Sequence, residues 1–153
     1  MRPIAFAPLA FLLIAPALHA QNATTSPLKW GPAPAVFPKG AQMAVVSGDP
    51  GKTGLFTIEL SMPGGYRIPP HFHPTDEHVV IKQGAFLVGM GDKLDQKQTM
   101  TMAVGDTGTI KAQAHHFGIA RGTTIVAVTA EGPFAMTYVH PQDDPQQGKP
   151  AGY

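Results

Sequence analysis

Hydrophobic and polar positions alternate along much of this 153-residue chain. Over residues 55–62, Phe56, Ile58, Leu60 and Met62 are separated by Thr57, Glu59 and Ser61. That period of two sets one face of a strand against a core and leaves the other outside. Short apolar runs broken by turn residues predict further strands at 42–47, 66–71, 77–83, 85–90, 98–102, 107–111, 116–120, 123–130 and 134–139. Gly48-Asp49-Pro50-Gly51 and Pro63-Gly64-Gly65 are turns between them, because Gly and Pro supply the backbone angles that tight turns need. No stretch carries a useful apolar stripe at helical spacing. Strands recurring this closely predict an all-β fold, a closed barrel or a two-sheet jelly roll.

Composition agrees. The chain has 17 glycines and 16 prolines, yet 43% of its residues are hydrophobic and only 14% are charged. It therefore combines many turns with enough apolar surface for one core. The formal net charge is +1, with no block of either sign. That gives none of the basic footprint of a nucleic-acid or membrane-surface binder. With no cysteine, disulfides, thiolate zinc sites and thiol catalysis are excluded.

Residues 1–20 read as a secretory signal peptide. Arg2 precedes an apolar run over 4–18, and Ala17-Leu18-His19-Ala20 resembles a signal-peptidase site. The expectation is a secreted, periplasmic protein with no membrane anchor after cleavage, and the absence of an Arg-Arg pair predicts export in the unfolded state. Residues 21–40, rich in Pro, Ala and Thr, predict an extended arm with Trp30 and Phe37 as anchors. Residues 41–140 form the single barrel domain, and 141–153 a flexible C-terminal tail.

The candidate chemistry lies in the histidines. His71, His73 and His78 form one cluster, His115 and His116 another. Residues two apart in a strand share a face, so His71 and His73 point the same way, into the barrel. Glu77 follows after Pro74-Thr75-Asp76, a spacing at which a short turn returns the carboxylate toward the two imidazoles. Neutral imidazole and carboxylate are good ligands for first-row divalent metals. Of the adjacent His115 and His116, only one can face inward. Phe117 and Ile119 share the parity of His115, which favours His115 if their apolar face is the core face. His78 is expected to face outward, His140 to be solvated, and Met90, Met100, Met102 and Met136 to pack in the barrel.

The segment from Gly65 to Gly84 resembles the first motif of the cupin superfamily: a glycine, five residues, H-x-H, three residues, a glutamate, six residues and a glycine. Gly65, His71, His73, Glu77 and Gly84 fill every fixed position. The second cupin motif would run from Gly105 to Ala120. Gly105 and His116 match it, whereas Lys111, Gln113 and Ala120 stand at its usual proline, glycine and asparagine. The resemblance covers about residues 41–140 and implies a cupin-type jelly-roll β-barrel. It implies one divalent transition metal ion (Zn, Cu, Mn, Fe or Ni) on His71, His73, Glu77 and His116, so its spacing selects His116 over His115. It further implies dioxygenation, isomerisation or decarboxylation of a small organic acid or phenol. Glu77 would then serve as proton acceptor, with Tyr66 and Arg67, one strand away, as substrate contacts. The alternative is a non-catalytic module that binds or senses a small molecule through the metal. Many cupins pair through an edge strand, so a homodimer is also an expectation. Loading outside the cytoplasm would favour zinc or copper over reduced iron.

Overall fold

The computed structural model describes residues 27–147. The expected leader over 1–20, the start of the arm and the end of the tail lie outside the described residues. Nine strands form the described fold: β1 (Gly31–Pro32), β2 (Gln42–Ser47), β3 (Gly54–Met62), β4 (Arg67–Phe72), β5 (Glu77–Met90), β6 (Thr99–Ala103), β7 (Thr107–Ile110), β8 (His116–Gly132) and β9 (Thr137–Tyr138). Every pairing is antiparallel. Two single 3₁₀ turns, Gln96–Gln98 and Pro141–Asp143, complete the described secondary structure. The fold is the all-β jelly roll that the alternation predicts.

The sheet bends back on itself into two layers, and β5 and β8 belong to both. The second half of β5 (85–90) lies between β6 and the first half of β8 (116–121), which also pairs with β4. The first half of β5 (77–81) lies between β7 and the second half of β8, which also pairs with β3. The core sits between the layers. It joins Ile68, Phe86, Val88, Met102 and Ala120 of one to Leu60, Met62, Val79, Ile81 and Val126 of the other. In β3 the predicted alternation is realised, with Phe56, Ile58, Leu60 and Met62 all buried.

The two long strands are each predicted as two short ones. Their junctions do hold glycines at positive φ, Gly84 (+71°) and Gly122 (+72°), but these bend the chain without ending the ladder. A Cβ at Gly84 would stand 2.4 Å from the Thr123 carbonyl oxygen, so only glycine fits the bend. Beside it Thr124, fully buried, donates its hydroxyl to the Ala85 carbonyl at 2.9 Å. The strand expected at 134–139 shrinks to β9, because the backbone before it has other partners. Phe134 N donates to Pro50 O, and Ala135 O accepts from a histidine of the site.

The arm packs on the barrel through Phe37, which is buried, whereas Trp30 is exposed. Two buried tyrosines fasten it: the Tyr66 hydroxyl donates to Pro38 O and the Tyr138 hydroxyl to Val36 O at 2.7 Å. Near the described end of the chain, two residues meet the rest of the fold. His140 is held by Nε2 against the Asp92 carbonyl at 2.8 Å, and Gln146 lines a cavity beside the arm. Among the described residues, no helix is long and apolar enough to cross a membrane.

Candidate metal centre

His71 in β4 and His116 in β8 are direct cross-strand partners, so their rings meet, with centroids 4.1 Å apart. His73 follows the end of β4, and its ring stands edge-on to His71 at 5.0 Å. Glu77 opens β5 opposite Ala130 and Ile110. The loop between His73 and Glu77 is fixed from outside. Asp76 accepts from Ala112 N and from Lys111 Nζ, both at 2.8 Å, and His73 O accepts from Gln113 N at 2.8 Å. Gln113 reaches that bond at φ +62°. The left-handed conformation of the motif's glycine is thus kept, at a steric cost glycine avoids.

All four side chains are buried, with exposures from 4% to 7%. One nitrogen from each of His71, His73 and His116 lies within 4.8 Å of the others, a group able to hold a metal ion. Glu77 Oε2 lies 3.3 Å from His73 Nε2 and 3.4 Å from His116 Nε2. These contacts are longer than charge-assisted hydrogen bonds of about 2.7–2.9 Å. They match two donors on one ion, about 3.0–3.4 Å apart at a metal–ligand distance of about 2.1 Å.

The tautomers agree with this. Each ring places Nδ1 against a backbone carbonyl: His71 on Pro69 O (2.7 Å), His73 on Ala135 O (2.7 Å) and His116 on Ala114 O (3.0 Å). A carbonyl only accepts, so each Nδ1 carries the hydrogen and each neutral ring keeps its Nε2 lone pair for a ligand. Burial pushes His71 well below the ordinary histidine pKa, helped by His116 and His73. Burial also lowers His73, against the opposing pull of Glu77 and the Ala135 carbonyl. Rings kept neutral in this way are ready to bind a cation. The residues present therefore fit a divalent ion.

His115 points away. Its side chain is 37% exposed, 2.6 Å from Asp92 Oδ1, and its ring stacks on Phe72 at 5.0 Å. The parity argument in its favour fails because the outer face of this layer is also buried. Leu87, Phe117 and Ile119 lie there, and Phe117 packs so tightly on Gly89 that a Cβ would stand 2.1 Å from its ring. His78 is exposed, with Nδ1 3.1 Å from Thr109 Oγ1.

Tyr66 and Arg67 are not at the site, a correction to the expected substrate contacts. Tyr66 is buried under the arm, where burial raises its hydroxyl to about 12. Arg67 is exposed and pairs with Ile119. The pairing of β4 shifts between Ile68 and His71, so Arg67 and His71 face opposite ways despite equal parity. Of the methionines expected in the core, Met102 is buried, but Met90 and Met100 are exposed at 58% and 65%.

The space beside the four side chains is about 50 Å3, walled by Phe37, Ile58, Leu60, Ile68, Val128, Phe134 and Met136. Among the described residues, no Lys or Arg lines it. Sequence reasoning missed Phe37, Phe134 and the Ala135 carbonyl, which reach the site only through long-range packing. The one signal was Gly132-Pro133-Phe134 before the last strand.

No protein-family profile and no curated protein matches the chain. Solved structures do. The polyketide cyclase RemF from Streptomyces resistomycificus is 19% identical, covering 69% of this chain and 75% of its own, with a TM-score of 0.58. The DMSP lyase DddQ from Ruegeria pomeroyi DSS-3 is 18% identical over 75% of this chain and 62% of its own, at 0.59. A cupin superfamily protein, DSY2733 from Desulfitobacterium hafniense DCB-2, is 13% identical over 60% and 77%, at 0.51. With its bent two-layer sheet and these neighbours, the chain has the fold of the cupin superfamily.

Proposed function

We propose that this protein is a secreted cupin metalloenzyme that holds one divalent transition metal ion on His71, His73, Glu77 and His116. The observation that carries this reading is the buried group of three imidazoles, each oriented by a carbonyl on Nδ1, with the Glu77 carboxylate 3.3 Å and 3.4 Å from two of them. An ion that accepts more than these four ligands would keep a position open to substrate, as catalysis requires. Bound there, the ion supplies Lewis-acid polarisation of a substrate oxygen. The chain's residues exclude water through the apolar wall, and Glu77 takes up a proton from substrate. Two fold neighbours are named as enzymes, a cyclase and a lyase, which supports catalysis over binding alone. The expected substrate is a phenol rather than an organic acid. Among the described residues no Lys or Arg lines the chamber, so the ion alone would have to offset the burial of a substrate carboxylate.

The test is elemental analysis of the mature protein beside His73→Ala. The expected result is one equivalent of zinc or copper, lost in the variant. Stoichiometric iron in protein from its native compartment would overturn the extracytoplasmic loading argument. No metal in either protein after reconstitution would overturn the site itself.

The second reading, a metal-dependent sensor without turnover, is favoured by one observation. A chamber of about 50 Å3 admits water or a diatomic molecule but no organic substrate. Turnover of a larger molecule requires a wall to move.

A further inference from the structure

A second cavity, of about 360 Å3, opens on the outer side of that wall, between the arm and the turn at Pro50-Gly51. Ile58 and Phe134 line both spaces. The outer cavity has the size of a small-molecule site, and among the described residues Gln146 is the only polar side chain on it. Phe134 thus stands as a partition between a roomy apolar vestibule and a metal chamber too small for an organic molecule.

The surroundings of the Phe134 ring are aromatic. It stacks on Phe37 at 5.8 Å and 13°, meets Phe56 edge-on at 6.2 Å, and leans on the His73 ring at 5.5 Å. The ring occupies a slot shaped for a flat π-system, one wall of which is a candidate metal ligand. The backbone beside it is pinned. Phe134 N donates to Pro50 O at 2.7 Å, and Ala135 O holds His73 Nδ1 at 2.7 Å. The side chain itself is held by van der Waals contact alone and is only partly buried. Rotation about χ1 can therefore swing the ring outward while the carbonyl that orients His73 stays in place.

We propose that the outer cavity binds an uncharged, flat aromatic molecule and that Phe134 yields its slot to that ring, merging vestibule and metal chamber. The proposal rests on the metal reading above and adds the substrate class and the route. Among the described residues the outer cavity offers no Lys or Arg, so a carboxylate would cross it without a partner. The stack on Phe37 decides for a ring over an aliphatic chain. Gln146 can donate to or accept from a hydroxyl on that ring. Phe134 is in this account a positioning and selecting residue.

The test uses the Co(II)-loaded full mature protein without oxygen. Visible absorption of the ion follows the binding of three probes: catechol (a ring uncharged in solution), 3,4-dihydroxybenzoate (the same diol with a charged carboxylate) and azide (small enough for the closed chamber). Catechol is expected to bind at least about tenfold more tightly than 3,4-dihydroxybenzoate. Phe134→Ala should speed catechol association by about tenfold or more and azide association by less, leaving Co(II) stoichiometry unchanged. Phe134→Leu gives the same reading if the alanine variant is unstable, and Phe134→Trp should slow catechol. Equal affinity for catechol and 3,4-dihydroxybenzoate overturns the ligand class. Catechol rates indifferent to all three substitutions overturn the route. Failure to take up Co(II) overturns the metal reading, whereas either earlier failure with Co(II) bound leaves that reading standing.

Discussion

The choice between two adjacent histidines shows how much one residue's direction decides. His116 faces the site beside His71 and Glu77, while His115 bonds Asp92 at the surface. Replacing His116 with alanine is therefore expected to lower metal affinity by about 10- to 100-fold or more, since even the loss of an outer partner of a ligand has effects of that size. His115→Ala should leave it unchanged. Competition with a chromophoric chelator measures both, and the reverse pattern would mean that His115 is the ligand. Protonation gives a second expectation. Burial holds the pKa values of His71 and His73 below their ordinary value of 6.5, so below that pH the unfolded chain binds more protons than the folded one. Stability then rises with pH. In metal-free protein the contribution is complete above about pH 6.5 and is lost as the pH falls through the folded values. The urea midpoint of chelator-treated protein should drop between about pH 7.5 and about pH 5, and a level midpoint would contradict neutral burial.

At the scale of the elements, the site depends on bends and registers rather than on any one strand. The bend at Gly84 carries β5 from one layer to the other, leaving Glu77 at one end and the outer-face contact of Gly89 at the other. Gly84→Ala combines positive φ with a Cβ 2.4 Å from a backbone oxygen. It is expected to destabilise the fold by roughly 1–3 kcal/mol, whereas Gly31→Ala, with nothing within 4 Å, should be near neutral. Chemical denaturation of the two variants separates these outcomes. The same elements show what the sequence could convey. Alternation in β3 and the glycines at bends were legible because they are local, as was the His71–His73–Glu77 spacing. The placing of Arg67 was not, because a pairing shift inside β4 reverses faces without leaving a mark on the pattern. Nor was the wall of Phe37 and Phe134, which comes from segments almost a hundred residues apart. Gln113 is the intermediate case: the motif's glycine is gone, yet its φ survives, because bonds from Gln113 N to the His73 carbonyl and from Ala112 N to the Asp76 carboxylate hold the loop.

For the whole molecule the question is what the metal contributes to holding it together. In small zinc domains the ion supplies the folding energy, and chelation unfolds them. Here the core adjoins the site, since Phe37 and Leu60 also wall its chamber, but does not depend on it. It runs from Phe37 and Leu60 to Phe86, Met102 and Val126, across both layers, and needs no ligand residue to be continuous. The four candidate ligand side chains already have internal partners, with Nδ1 of each histidine on a carbonyl and Glu77 beside two rings. Removing an ion therefore leaves no structural gap. The chelated protein is expected to keep its β-sheet circular dichroism and a cooperative thermal transition, with the midpoint lowered by linkage alone. That loss grows with ion concentration over Kd and is about 2.7 kcal/mol at a hundredfold excess. His71→Ala should show the same transition with or without metal, since it removes the linkage and leaves the core. An unfolded chelated protein would show instead that the two layers close only around the ion, and the apolar wall at Phe134 would then belong to the metal-bound state alone.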